Sequence, residues 1–151
     1  MKHQALAYAQ SMRAILNTIQ AQEMDKILQA AELLADAVAQ DGIVYTFGTG
    51  HSHVVAEDVA YRAGGLVPVD AILEAALTGH EKVRQSEFME RVEGVAKVIM
   101  DYYRPTSRDA MVIISNSGRN AAPVEMAMEA CQRGMPVIAI TSLAHSQGTN
   151  S

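Results

Sequence analysis

The stretch Asp109–Asn120, DAMVIISNSGRN, decides how the chain is read. Met111 to Ile114 is an uninterrupted apolar run, the pattern of a strand buried on both faces of a sheet. It gives way at once to Ser115-Asn116-Ser117-Gly118. Ala121 to Arg133 then has helical character, with Pro123 in the first turn, where a missing N–H costs little. A strand, a hydroxyl-rich turn and a helix start, in that order, aim backbone N–H groups and two serine hydroxyls at one point. Unpaired N–H groups and the helix dipole favour an anion there, so the turn suits a phosphate. Taken alone, it is equally an ordinary strand-to-helix loop with a serine cap. Recurrence separates the two readings.

The arrangement occurs twice more. Upstream, Asp41-Gly42 ends a helical region, and Ile43 to Phe47 predicts the first core strand. It runs into Gly48-Thr49-Gly50-His51-Ser52, and a helix is expected from about His53 to Ala63, closed by Gly64-Gly65. Downstream, Gly134 is a stop signal, and Val137 to Ile140 is another buried-type strand ending in Thr141-Ser142. Strands alternating with helices imply right-handed crossovers and a parallel sheet. Ligands of such sheets bind beyond the carboxyl ends of the strands, where the strand order reverses. Those ends carry small hydroxyl or amide side chains and no large apolar plug. They fit a polar, hydroxylated, anionic ligand, and a phosphorylated sugar has that chemistry.

The remaining segments are connections and scaffold. Leu66 to Val69 reads as a short strand, placed at a sheet edge because Pro68 lacks a ladder donor. Asp70 stands at its end. Leu73, Ala76 and Leu77 form one helical turn or two, interrupted by Thr78-Gly79-His80-Glu81, a connection that crosses near the site. From Glu87 to Tyr103 a helix is predicted, with Phe88, Val92, Val95, Ile99 and Tyr102 on one face and Ser86 as its cap. Lys2 to Gln40 contains no Gly or Pro and carries two apolar stripes, Leu6 to Ile19 and Met24 to Val38. The five-residue step from Ile19 to Met24 implies a kink, or two helices meeting, between Gln20 and Asp25 so that both stripes face one core. So long a helix usually needs a partner surface, so residues 1–40 are expected to be a packing or oligomer-contact segment. Residues 41–151 are expected to form the binding domain.

Composition closes several alternatives. The 151 residues suffice for one domain with a real core, and 49% are apolar. A net charge of −5, no basic cluster and no Trp argue against a nucleic-acid surface. Cys131 is the single cysteine, so neither an internal disulfide nor a Cys-based zinc site is available; among Met126, Ala127 and Ala130 it reads as a buried helix residue. No apolar run approaches membrane-spanning length, no leader pattern is visible, and the expected location is the cytoplasm. Gly48-x-Gly50 suggests a dinucleotide fingerprint, but His53 stands where the third Gly belongs. With Asp70 at a suitable distance, a nucleotide-binding protein stays as a third reading. No Gly-Lys-Ser/Thr is present, which excludes a P-loop.

The segments FGTGHS, IISNSGRN and VIAITS resemble the three signature strand ends of the SIS (sugar isomerase) domain family, over about Gly42 to Ser142. The patterns GTGHSH…E…YRAGGL and SNSGRN…P-V-E-M-A are most similar to bacterial phosphoheptose isomerase-like SIS proteins. The resemblance implies a parallel-sheet, three-layer α/β sandwich of flavodoxin/Rossmann-like type with five strands, usually as a homodimer or homotetramer. It also implies that the Ser-x-Ser-Gly turn holds the sugar phosphate, carried here by Ser115, Ser117 and Asn120, with Ser52 as the serine of the first turn. Gly50, Asn116, Gly118, Thr141 and Ser142 complete the expected phosphate site. Members continue with another strand and a C-terminal helix, often the source of a catalytic His or Lys. The chain ends at Ser151, so the C-terminal part of the usual domain is expected to be missing, either because this is a fragment or because it is an unusually short member.

The implied activity is aldose–ketose isomerisation, with a non-catalytic phosphosugar sensor as the alternative. Isomerisation needs a base that moves a proton between adjacent carbons and an acid that opens the ring. Glu57, one turn into the helix after His51-Ser52, is the expected base. The resemblance implies a catalytic carboxylate on this helix, as in phosphoheptose-type members; a solvated glutamate is the plain alternative. Asp58 points elsewhere. His51 can open the ring or contact a hydroxyl, or be a plain turn histidine. His80 and Glu81 become a second acid–base pair if their loop folds over the site. Arg119 can help neutralise phosphate or face solvent. His53 and Glu57, four apart, share a helix face as metal ligands do, but no third ligand is evident, so neither metal nor cofactor is expected.

Overall fold

The structure is a computed structural model that describes residues 2–148. Residues up to Leu33 form one compact unit, and those from Leu34 onward form another.

In the first unit, α1 (Lys2–Gln22) and the beginning of α2 (Met24–Ala39) are separated at Glu23. Helical bonding runs through the break: the Glu23 N–H donates to the Ile19 carbonyl, and the Ile27 N–H to that of Glu23, both at 2.9 Å. The interruption is therefore the local phase slip that the stripe spacing predicts. Leu6, Met12, Ile15, Leu16, Ile19, Met24, Ile27 and Leu28 are all exposed, whereas Leu34 and Val38, at the end of the second stripe and in the second unit, pack against a core.

In the second unit, β1 (Val44–Gly48), β2 (Val69–Ile72), β3 (Ala110–Ile114) and β4 (Val137–Ile140) form a parallel sheet in the order β2-β1-β3-β4. The resemblance implies five strands; among the described residues there are four. Phe47 pairs in register with Ile72 on one side and Ile113 on the other. Side chains of successive residues alternate between the faces. Tyr45, Phe47, Met111 and Ile113 face a core shared with α4 (Ala75–Thr78), α6 (Val95–Tyr103) and α7 (Ala121–Gln132). Val44, Val112 and Ile114 face Ala56 of α3 (Ser52–Asp58) and the end of α2 at Ala37. These are the three layers of an α/β sandwich. Phe47, Met100, Met111 and Met126 are fully buried, each contributing about 1.5–3 kcal/mol.

Asp109 ties the strand starts together. Its buried carboxylate accepts from the Ile43 N–H at 2.7 Å and the Thr106 N–H at 2.6 Å. At the other end of β1 the chain approaches itself closely: a Cβ on Gly48 would lie 2.7 Å from the Ser52 carbonyl carbon. Only glycine lets α3 start this near the strand.

Several boundaries differ from expectation. The second strand starts three residues later than predicted, because Leu66 and Val67 are exposed and Pro68 only supplies its carbonyl to the Val44 N–H. Asp70 thus lies inside β2, which is the edge strand expected. The helix predicted from Glu87 to Tyr103 is two helices, α5 (Val83–Met89) and α6, broken around Gly94 at φ 83°. Phe88 and Tyr102 face solvent, and the buried positions of α6 are Ala96, Ile99 and Met100. Ser86 is not a cap but a buried residue within α5. Cys131 is exposed, contrary to expectation. The buried stripe of α7 is Ala122, Met126 and Ala130, and the next residue is turned about 100° from it. A short helix, α8 (Leu143–Gln147), follows β4.

Candidate functional site

The chain leaves β1 toward β2 and returns to β3 on the other side, so the strand order reverses between β1 and β3. The carboxyl end of β1 borders a cleft on each side, and His51 lines both.

The first cleft, about 390 Å³, lies over the reversal point and is lined by His51, Ser52, Asn116, Thr141 and Ser142, with Val55 at its side. Three strand ends meet here. The Ser142 N–H donates to the Asn116 carbonyl at 3.1 Å, joining the turns after β3 and β4. The other expected phosphate ligands are placed differently. The Ser115 hydroxyl accepts from the Gly118 N–H at 3.1 Å, and both residues line a separate, largely apolar cleft between α7 and β4. Thr141 borders both clefts. Gly118 has φ 60°, and a Cβ there would come within 3.3 Å of the Thr141 hydroxyl. Ser117 and Asn120 are half-buried in the same turn, and Arg119 is exposed. Asn120 caps α7 in extended conformation without a side-chain bond, and the Ala122 N–H of the first turn donates to the Glu90 carbonyl.

The second cleft, about 400 Å³, is lined by Thr49, Gly50, His51, His53, Thr78, His80 and Glu90, among others. The loop after α4 is fastened over the β1 turn by the Leu77 carbonyl. It accepts from the Gly50 N–H at 2.8 Å and from the buried Ser86 hydroxyl at 2.7 Å. This brings His80 against α3. Its Nε2 is 2.7 Å from His53 Nε2 and 3.7 Å from Glu57 Oε2, and the two rings meet edge to face with centroids 4.2 Å apart. His53 is buried, whereas Glu57 and His80 are exposed. His53 Nδ1 donates to the Gly50 carbonyl, which places the ring proton on Nδ1 and leaves the Nε2 lone pair facing His80. The ligand atoms of His53, Glu57 and His80 all lie within 4.8 Å of one another.

Glu81 is exposed and lies outside the lining of this cleft. Asp58 pairs with Arg62 at 2.9 Å on the surface. The cleft also contains groups that sequence reasoning misses. Thr49 is buried, and its hydroxyl donates to Glu90 Oε2 at 2.6 Å, a pairing across 41 residues. A hydroxyl in the GTGHS turn is a visible signal; nothing in the sequence singles out Glu90.

The sequence model of the SIS domain matches residues 7–142. The chain belongs to the SIS domain family. It is 44% identical over 144 residues to a UPF0309 protein of Halalkalibacterium halodurans, covering 95% of this chain and 60% of that relative. The phosphoheptose isomerase GmhA of Neisseria gonorrhoeae has a similar structure, with TM-score 0.71 and 26% identity over 97% of this chain and 77% of that one. The fold also matches Escherichia coli CFT073 c3406, solved in complex with A5P, with TM-score 0.56 and 20% identity over 97% of this chain and 69% of that one. No helix of the described residues is long and apolar enough to cross a membrane.

Proposed function

We propose that this SIS domain binds a phosphorylated sugar at the reversal point and isomerises it between aldose and ketose. The observation that carries the reading is the cleft where Ser52, Asn116, Thr141 and Ser142 meet from three strand ends, with His51 shared with the neighbouring cleft. Hydroxyl and amide donors of these turns hold the phosphoryl group. The sugar then extends past His51 toward His80 and Glu57. In the reaction, Glu57 takes the proton from C2 of the open-chain aldose and returns it at C1. The proton on O2 passes to O1, carried by His51 or His80, so atoms balance without an external oxidant. The likeness to a phosphoheptose isomerase supports this class of substrate. The exposed stripe of α1 fits a second copy of the chain, as a homodimer or homotetramer.

The test is a thermal-shift screen against pentose, hexose and heptose phosphates, followed by NMR of substrate C–H exchange in D₂O. A ligand that binds only the native state raises the melting temperature. Ser52→Ala should weaken binding about 10- to 100-fold, the loss of one hydrogen bond to a charged group. Glu57→Gln should keep binding and abolish exchange. Stabilisation without exchange identifies a sensor module and overturns the enzymatic part. No stabilisation by any sugar phosphate overturns the whole reading.

A further inference from the structure

We propose that Glu90, held by the Thr49 hydroxyl in the turn that carries His51, is the base that opens the sugar ring. The inference rests on the sugar-phosphate reading and names a residue which that reading leaves unused. Aldose phosphates rest in water mostly as closed rings, whereas proton transfer between C1 and C2 needs the open chain. Ring opening therefore asks for a base at the anomeric hydroxyl and an acid at the ring oxygen.

The position of Glu90 is fixed from two directions. Its main chain closes α5: the Glu90 N–H donates to the Ser86 carbonyl at 2.9 Å, and the Glu90 carbonyl accepts from the Ala122 N–H at 2.9 Å, at the start of α7. Its side chain reaches back to the first turn. There the buried Thr49 hydroxyl donates to Oε2 at 2.6 Å, a length typical of a bond to a charged oxygen. The carboxylate is half-buried, and the lining of its cleft contains no Lys or Arg among the described residues. A fastener alone needs no charge, because an amide accepts the same bond without the cost of desolvating a carboxylate. After one bond a carboxylate still has acceptor sites to spare, and Glu90 lines the cleft. Thr49, Gly50 and His51 are consecutive, so the turn that holds Glu90 also presents the imidazole that lines both clefts.

With the phosphoryl group at the reversal point, the anomeric end of the sugar passes His51 and enters this cleft. Glu90 takes the proton of the anomeric hydroxyl, the bond from C1 to the ring oxygen breaks, and C1 becomes a carbonyl. The electron pair of the broken bond stays on the ring oxygen, which takes a proton from protonated His51. Glu90 returns its proton to His51 through water, so protons and charge balance and no oxidant enters. Glu57 keeps the later C–H step, and His80 is left to carry the proton from O2 to O1. Reclosure on the other face of the carbonyl gives the other anomer, so ring opening has a signature separate from isomerisation.

The experiment follows exchange between α and β anomers by magnetisation-transfer NMR, with thermal shift on the same samples. The probes are aldopentoses, aldohexoses and aldoheptoses phosphorylated on the terminal carbon. The full chain should accelerate anomer exchange of the sugars that stabilise it. Glu90→Gln keeps an acceptor for Thr49, so melting temperature and sugar stabilisation should stay near those of the parent chain. Anomer exchange should fall by about 100-fold or more. Thr49→Val should lower it about tenfold through lost orientation, and Thr49→Ser should bring it back to within about twofold. This pair tests the assignment without altering Glu90, and equal rates in Thr49→Val and the parent overturn the positioning role. A rate in Glu90→Gln within about twofold of the parent overturns the inference. So does a sugar phosphate that stabilises the chain without faster anomer exchange, and the sugar-phosphate reading then stands alone. Stabilisation by none of the probes overturns that reading and this inference with it.

Discussion

Ser86→Ala tests the link between the fold and the second cleft. The Ser86 hydroxyl is buried and donates to the Leu77 carbonyl at 2.7 Å. The substitution removes one oxygen and creates almost no cavity. It leaves the Leu77 carbonyl satisfied by the Gly50 N–H at 2.8 Å, so no acceptor is orphaned. The loss is therefore that of a single hydrogen bond whose partner stays paired, about 0.5–1.5 kcal/mol. For a chain of 151 residues this corresponds to a fall in melting temperature of about 1–6 °C. The local effect is more specific. If about 1 kcal/mol of loop docking is lost, His80 should part from His53 and the substrate C–H exchange proposed for the site should slow about fivefold. Phosphosugar binding at Ser52 and Asn116, on the other side of β1, should change little. Urea unfolding and C–H exchange in D₂O on the same samples measure both. An unchanged melting temperature, or a cost above about 3 kcal/mol, refutes the assignment of Ser86 as a single-bond fastener. An unchanged exchange rate with reduced stability refutes its coupling to His80.

Two further outcomes are expected. Leu16→Glu with Ile19→Glu, on the exposed face of α1, should convert an oligomer to a monomer by light scattering without lowering helix content; an unchanged mass excludes this face as the contact. Alkaline pH should destabilise the domain through Tyr45 and Tyr103, which meet edge to face with centroids 6.0 Å apart. Burial raises both phenol pKa values, with Asp109 and Asp70 adding to Tyr45 and Glu74 and Asp70 to Tyr103. Each folded-state value lies above the unfolded one, so their contribution is complete below pH ~10 and is lost as pH rises through the folded pKa. Urea midpoints at pH 8 and pH 11 measure the slope, and Tyr45→Phe should flatten it. A midpoint that does not fall above pH 10 refutes the attribution.

The amino-acid sequence by itself determined the class of the fold. Strands at Val44–Gly48, Ala110–Ile114 and Val137–Ile140 are short apolar runs between turns, a local signal that tertiary context reinforces. Alternation with helices then leaves a parallel sheet as the economical arrangement, and the hydroxyl-rich turns mark its carboxyl edge. Elements without a local signal were not legible. The break at Gly94 splits a continuous-looking pattern, and Cys131 is exposed although Ala130 beside it is buried. Only the tertiary structure decided how the turns share their ligands. The Ser115 hydroxyl accepts from the Gly118 N–H and opens on a different cleft from Ser52, because a hydroxyl follows the nearest unpaired N–H. It also decided that His80 meets His53 and Glu57. That meeting depends on one carbonyl, Leu77, accepting from two segments at once, and no spacing rule reaches across such a loop.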